Sequence, residues 1–178
     1  MNRIPNFVSI GLLALCLGTT CAGSASAQSA EKIAAKDNVI LEIGAAASRS
    51  ITDAVWSFGP TIAVEVTPIE GWLELEAGIT PLFASNATEW GIDLLFKKPW
   101  ALSRKVEFMV GAGPEWIHVR ERSVVTNSAA AEAVLDFMFW PSAKRKFGWY
   151  LEPTYEYSFG RGREQSVGIS GGFLIPIR

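Results

Sequence analysis

The stretch Pro60–Phe83, P-T-I-A-V-E-V-T-P-I-E-G-W-L-E-L-E-A-G-I-T-P-L-F, constrains the fold more than any other. In its first arm Ile62, Val64 and Val66 alternate with Ala63, Glu65 and Thr67; in its second, Leu73, Leu75, Ala77 and Ile79 alternate with Glu74, Glu76, Gly78 and Thr80. Side chains of a strand point to opposite faces at every second residue. The segment therefore reads as a hairpin around Pro68-Ile69-Glu70-Gly71, with one apolar face and one carrying carboxylates. A helix would need a period near 3.6, which is absent here.

The same rhythm continues along the chain. Strands are expected at about 39–47, across the opening hairpin, and at 88–97, 105–119, 129–140, 147–159 and 165–177. Polar connections are expected at 48–57, 84–87 and 120–128, with turns at 98–104, 141–146 and 160–163. A bulge is expected at Gly113–Pro114, because proline cannot donate to a ladder. The faces of Glu115, Trp116 and His118 beyond it stay open. Eight sequential strands with short connections make an all-β, antiparallel up-and-down sheet, and closure into a barrel removes its edges.

Residues 1–27 do not belong to that sheet. Arg3, the apolar run Phe7–Leu17 and Ala25-Ser26-Ala27 read as a cleaved secretory signal peptide, and the apolar run is too short to span a bilayer as a helix. Residues 28–38 read as a flexible lead-in and 39–178 as the barrel. Both cysteines, Cys16 and Cys21, lie in the signal, so no disulfide or thiol chemistry is expected afterwards. The net charge of −2 gives no reason to expect a nucleic-acid partner. No later apolar stretch could cross a membrane as a helix, so a membrane form must be a barrel.

Two barrels fit the pattern, one with its apolar face in lipid and one a soluble lipocalin-like cup with that face inside. The apolar set is too bulky for an eight-stranded lumen, which is filled by about three layers of four side chains. Lysines and arginines read as lying near strand ends, with only acids at the strand middles, whereas soluble surfaces intersperse both signs. Trp56, Phe58, Trp72, Phe83, Trp90, Phe96, Trp100, Phe139, Trp140, Phe147 and Trp149 cluster near strand ends, as interfacial girdles do. The transmembrane barrel is the expectation.

With V-E-F-M-V-G-A-G-P-E-W at 106–116 and G-I-S-G-G-F-L-I-P-I-R at 168–178, the chain resembles the small eight-stranded outer-membrane barrels of Gram-negative bacteria over Val39–Arg178. One departure is its last pair, Ile177–Arg178, where such barrels often carry an aromatic residue. The resemblance implies a cell outer-membrane location, contact with outer-membrane lipid and lipopolysaccharide, and a monomer.

The candidate site is the polar face. Glu42, Glu65, Glu74, Glu76, Asp93, Glu107, Glu132, Asp136, Glu152 and Glu156 are expected in the lumen, and buried acids need partners or protons. The available bases are expected at the rims: Lys97, Lys105 and Lys146 at the turn side, Arg120, Arg122, Arg161 and Arg163 at the loop side. Repulsion among the acids is then the main expectation, so that Gln at positions 74 and 76 would relieve it. A packed polar plug is favoured over a cation path or cation site, because the lumen is narrow. His118, the one histidine, with Ser123, Glu115 and Glu121 is the best available constellation for a lipid A-modifying enzyme, but proximity in sequence does not make nucleophile, base and orienter converge. One histidine and no remaining cysteine argue against a metal site of the zinc type, and no cofactor is implied. Loop arginines in 49–57 and 120–128 are candidates for lipopolysaccharide phosphates. The reading is a non-enzymatic outer-membrane protein, structural or surface-interacting; the lipid A-modifying enzyme and the soluble periplasmic lipid carrier are its rivals.

Overall fold

The computed structural model describes residues 39–142, 144–160 and 162–177. The expected signal peptide, the lead-in and Arg161 lie outside the described residues. Eight strands follow one another: β1 (Val39–Ser50), β2 (Trp56–Ile69), β3 (Leu73–Phe83), β4 (Ala87–Ala101), β5 (Val106–Glu121), β6 (Val124–Phe139), β7 (Gly148–Ser158) and β8 (Gln165–Ile177). Each pairs antiparallel with the next, and β8 pairs with β1, so the sheet is a closed barrel without an edge. We call the end where β1 begins and β8 ends the lower end, and the opposite end the upper.

The register sets the tilt. Followed from pair to pair, Val39 leads to Val66, Leu75, Phe96, Ala112, Ala133, Tyr155 and Val167, and returns to β1 at Arg49, ten residues from its start. A stagger of this kind inclines the strands by roughly 35–45° and leaves an interior just wide enough for side chains.

Alternation then sorts the residues. Ile62, Val64, Ile79, Ile92, Leu94 and Leu135 stand exposed on the outer wall, while Glu42, Glu65, Glu74, Glu76 and Asp136 are buried inside it. Aromatic rings band the outer wall at both ends. Near the lower end Trp100 stacks on Phe108, Phe108 meets Phe137, and Phe139 stacks on Trp149 with centroids 4.0 Å apart. Near the upper end Trp56 stacks on Phe58, and Phe83 and Trp90 are exposed.

Four local expectations are corrected. Residues 120–128 are not a loop: Arg120 pairs with Val125 and Glu121 with Val124 around a two-residue turn, with Arg122 at φ 51°. The β-branched run Val124-Val125-Thr126 suits a strand better than its polar surroundings suggest. The connection at 48–57 likewise shortens, since Arg49 pairs with Trp56. No bulge forms at Gly113–Pro114, because β4 and β5 keep one register on both sides of it, from Asp93↔Glu115 to Phe96↔Ala112. The register shifts instead between Val66 and Ile69, around Pro68 at the β2–β3 turn. Finally, Trp140 is not part of an outer girdle. The chain leaves the sheet after Phe139, and the Trp140 side chain turns inward to 1% exposure.

Inside the lower end, Trp140 packs with Ile40, Met109, Met138, Tyr150 and Leu174 into an apolar plug. Gly148 makes room for it, since a Cβ there would lie 2.8 Å from Trp140 Cε3. Trp140 Nε1 has no hydrogen-bond partner among the described residues, so filling the lumen is the larger part of what the indole does. Trp140→Ala is expected to cost about 3–5 kcal/mol through the cavity it leaves, and Trp140→Phe clearly less. Urea unfolding of the barrel in detergent measures both.

Candidate functional site

Strand alternation puts all ten of the named carboxylates on the inner wall, where Glu42, Glu65, Glu74, Glu76, Glu107, Asp136 and Glu152 are buried and Asp93, Glu132 and Glu156 half-buried. Glu115 joins them, since uninterrupted pairing across Pro114 keeps it in phase with Gly111 and Glu107. Glu89 is inward-facing as well and half-buried.

Lys97 does not sit at the rim. It is buried, at 0% exposure, and its ammonium group donates to Glu76 Oε2, to Asp136 Oδ2 at 3.1 Å and to Glu152 Oε2 at 2.5 Å. Glu76 lies on β3, Asp136 on β6 and Glu152 on β7, so one side chain ties opposite walls of the lumen together. The physical reason lies in the stagger. Lys97 stands four residues before the end of β4, yet it is level with Glu74 on one side and Gly111 on the other. Gly111 gives the lysine stem its space: a Cβ there would lie 2.7 Å from Lys97 Cγ. Expected repulsion among the acids is thus replaced, for Glu76, Asp136 and Glu152, by a shared cation. For Glu76 the ion pair argues against relief on substitution by Gln.

The other named bases behave differently. Lys105, Lys146, Arg120, Arg122 and Arg163 are exposed at the ends of the barrel or in its turns. Arg120 shares the outer face of β5 with Trp116 and His118 and does not reach in. A base that does reach in from below is Arg145, which the sequence reading passed over as a turn residue. Its Nη1 donates to Glu107 Oε2 at 2.8 Å, and its guanidinium lies 5.2 Å from the centre of the Trp140 ring. The basic run 144–146 was the available signal, but nothing in the sequence said which of its members would turn inward.

Above Lys97 the lumen holds a narrow cavity lined by Glu76, Glu89, Asp93, Glu115, Glu132, Glu152 and Glu156, among mostly small and hydroxyl-bearing residues. It shares Glu89, Glu156 and Ser166 with a cavity of ≈ 560 Å³ at the upper end, lined also by Asp53, Glu121 and Glu164. No lysine or arginine lines either cavity among the described residues. The interior is thus an acidic well that widens upward and ends below on a lysine-centred ion cluster and an apolar plug.

His118 faces outward, where Nδ1 lies 2.8 Å from Asn127 Oδ1 and the ring sits 5.7 Å from that of Trp116. Glu115 points the other way, into the lumen. The two are on opposite faces of β5, so the arrangement an enzyme would need from them is not assembled.

A buried cation removed from among carboxylates leaves uncompensated charge, at a cost of about 3–5 kcal/mol. Lys97→Met is expected to destabilise the barrel by that order, read by urea unfolding in detergent. Lys105→Met, which changes an exposed turn, is expected to stay within about 0.5 kcal/mol of wild type.

No family model matches the sequence, and no curated protein sequence matches it either. Solved structures do. Neisserial surface protein A (NspA) is similar with a TM-score of 0.63 at 12% identity, covering 78% of this chain and 96% of that one. The N-terminal β-barrel domain of Pseudomonas aeruginosa OprF gives 0.55 at 14% identity, over 78% and 98%. Ail, the attachment invasion locus protein of Yersinia pestis, gives 0.50 at 13% identity over 77% and 97%, in its complex with the heparin analogue sucrose octasulfate. At these identities the likeness is one of architecture: the chain has the fold of the small eight-stranded outer-membrane β-barrels.

Proposed function

We propose that this chain is a small, non-enzymatic outer-membrane protein, structural or surface-interacting, with its lower end toward the periplasm and its loops outside the cell. The observation that carries this reading is the inversion of its faces. Large apolar side chains cover the outer wall between two aromatic bands, and carboxylates fill the interior. In water such a wall would be an aggregation surface; in a bilayer it is the surface a barrel requires. A lipocalin-like carrier needs the opposite arrangement, an apolar interior able to hold a lipid.

The upper rim suits a lipopolysaccharide-rich leaflet. Arg49 lies over Trp56 at 5.9 Å on the outer wall, and Arg120 and Arg122 are exposed near the same end. Guanidinium groups at that height are placed for phosphates, and the rings below them for the headgroup boundary. Closure leaves no strand edge to recruit a second copy, which favours a monomer. The plug and the lysine cluster block the lumen, so the barrel does not conduct. Its interior serves stability, and contacts with partners fall to the loops.

Fractionation of cells tests the location: recovery in the outer-membrane fraction supports it, and recovery in the soluble periplasm without detergent overturns it. A sharper test is Leu94→Arg, at the middle of β4 on the outer wall. In lipid vesicles it is expected to cost about 2–4 kcal/mol; no loss there would mean that this wall does not face lipid. In planar bilayers the purified protein is expected to show no stable conductance steps, and regular ones would refute the blocked lumen.

A further inference from the structure

Glu42 on β1, Glu65 on β2, Glu76 on β3 and Asp136 on β6 are all buried, and each brings an oxygen to within 4.8 Å of the others. Acids can cluster without binding anything, so the question is what the neighbouring base already satisfies. An ammonium group has three donors. Those of Lys97 go to Glu76, Asp136 and Glu152. Glu42 is not among its hydrogen-bond partners, and Glu42 Oε1 has no hydrogen-bond partner among the described residues although the residue is only 1% exposed. Asp136 Oδ2 accepts from Lys97, while its Oδ1, on a residue at 0% exposure, has no hydrogen-bond partner among the described residues either. Two residues of the cluster therefore each carry a buried oxygen to which nothing among the described residues donates, a costly state for groups taken out of water.

We propose that these four carboxylates hold a divalent, oxygen-seeking cation of the calcium class beside Lys97. An all-oxygen donor set selects a hard ion over one that prefers nitrogen or sulfur. The spread of 4.8 Å matches ligands on opposite sides of an ion bound at about 2.3–2.6 Å, as calcium is; magnesium, at about 2.0–2.1 Å, draws its ligands closer and keeps several waters. Lys97 then has a second role. Its hydrogen bond to Asp136 Oδ2 fixes the orientation of that carboxylate, as hydrogen-bonded partners of metal ligands do. The route in is the acidic well, because Glu76 belongs both to the four-carboxylate set and to the cavity above it.

The experiment uses the full chain folded in detergent and stripped with a calcium chelator. Calcium chloride is then titrated calorimetrically, and urea unfolding is recorded with and without calcium. The expected result is saturable uptake of one calcium per barrel, an unfolding midpoint that rises with calcium, and a weaker response to magnesium. Glu42→Gln is expected to weaken uptake by about tenfold or more and to abolish the rise in midpoint, whereas Glu164→Gln at the mouth changes neither. No saturable uptake up to about 10 mM, above the range of even weak natural calcium modules, overturns the proposal. So does undiminished uptake by Glu42→Gln, which would place calcium on the surface acids. If Glu42→Gln does not fold, the wild-type stoichiometry decides: one displaceable ion supports the site, and only non-saturating uptake refutes it.

Discussion

A carboxylate taken out of water needs an opposite charge or a proton close by, and in this barrel much of that demand falls on one side chain. Lys97 reaches from β4 to acids on β3, β6 and β7. The interaction is cross-lumen, so it braces walls that hydrogen bonds along the sheet do not connect. It also depends on an absence, the missing side chain of Gly111, which leaves the lysine stem room to lie against β5. Arg145 and Glu107 repeat the device in miniature at the lower end, with Trp140 under the guanidinium.

The rest of the lumen is arranged around these points. Below Lys97 the interior holds the Arg145–Glu107 pair and an apolar plug of Ile40, Met109, Met138, Trp140, Tyr150 and Leu174. Above it the walls carry acids and small residues up to the mouth. The proposed non-conducting role rests on this asymmetry, since a pore needs a continuous polar path. The proposed role rests equally on the acids that line the upper cavity, where a lipid carrier would be apolar.

Sequence reasoning was strongest where the physics is local. A period of two assigns faces residue by residue, which is why Glu65 and Glu76 fall inside and Val64 and Leu75 outside without reference to any partner strand. It was weakest where level and direction depend on the whole barrel. Lys97 looked like a rim residue because the expected strand 88–97 ended on it; β4 runs on to Ala101, and depth along one strand is not depth in a tilted barrel. Trp140 looked like a girdle residue because it continues the run from Phe137, yet the strand ends at Phe139 and its indole fills the lumen. Gly113–Pro114 looked like a bulge, but the ladders on either side hold the register through it.

The sequence by itself determined the class of object: strands of alternating character, an even number of them, an apolar face too bulky for any lumen and an acidic face that needed partners. Each of those follows from the geometry of a single strand and the volume of side chains. Only the tertiary structure decided the partners. Closure with a stagger of ten residues brought Lys97 level with Glu74 and Gly111, set Asp136 and Glu152 across from it, and gathered Glu42 and Glu65 from two further strands beside them. Side chains so far apart in sequence meet because eight tilted strands close on themselves, and no local pattern encodes that stagger.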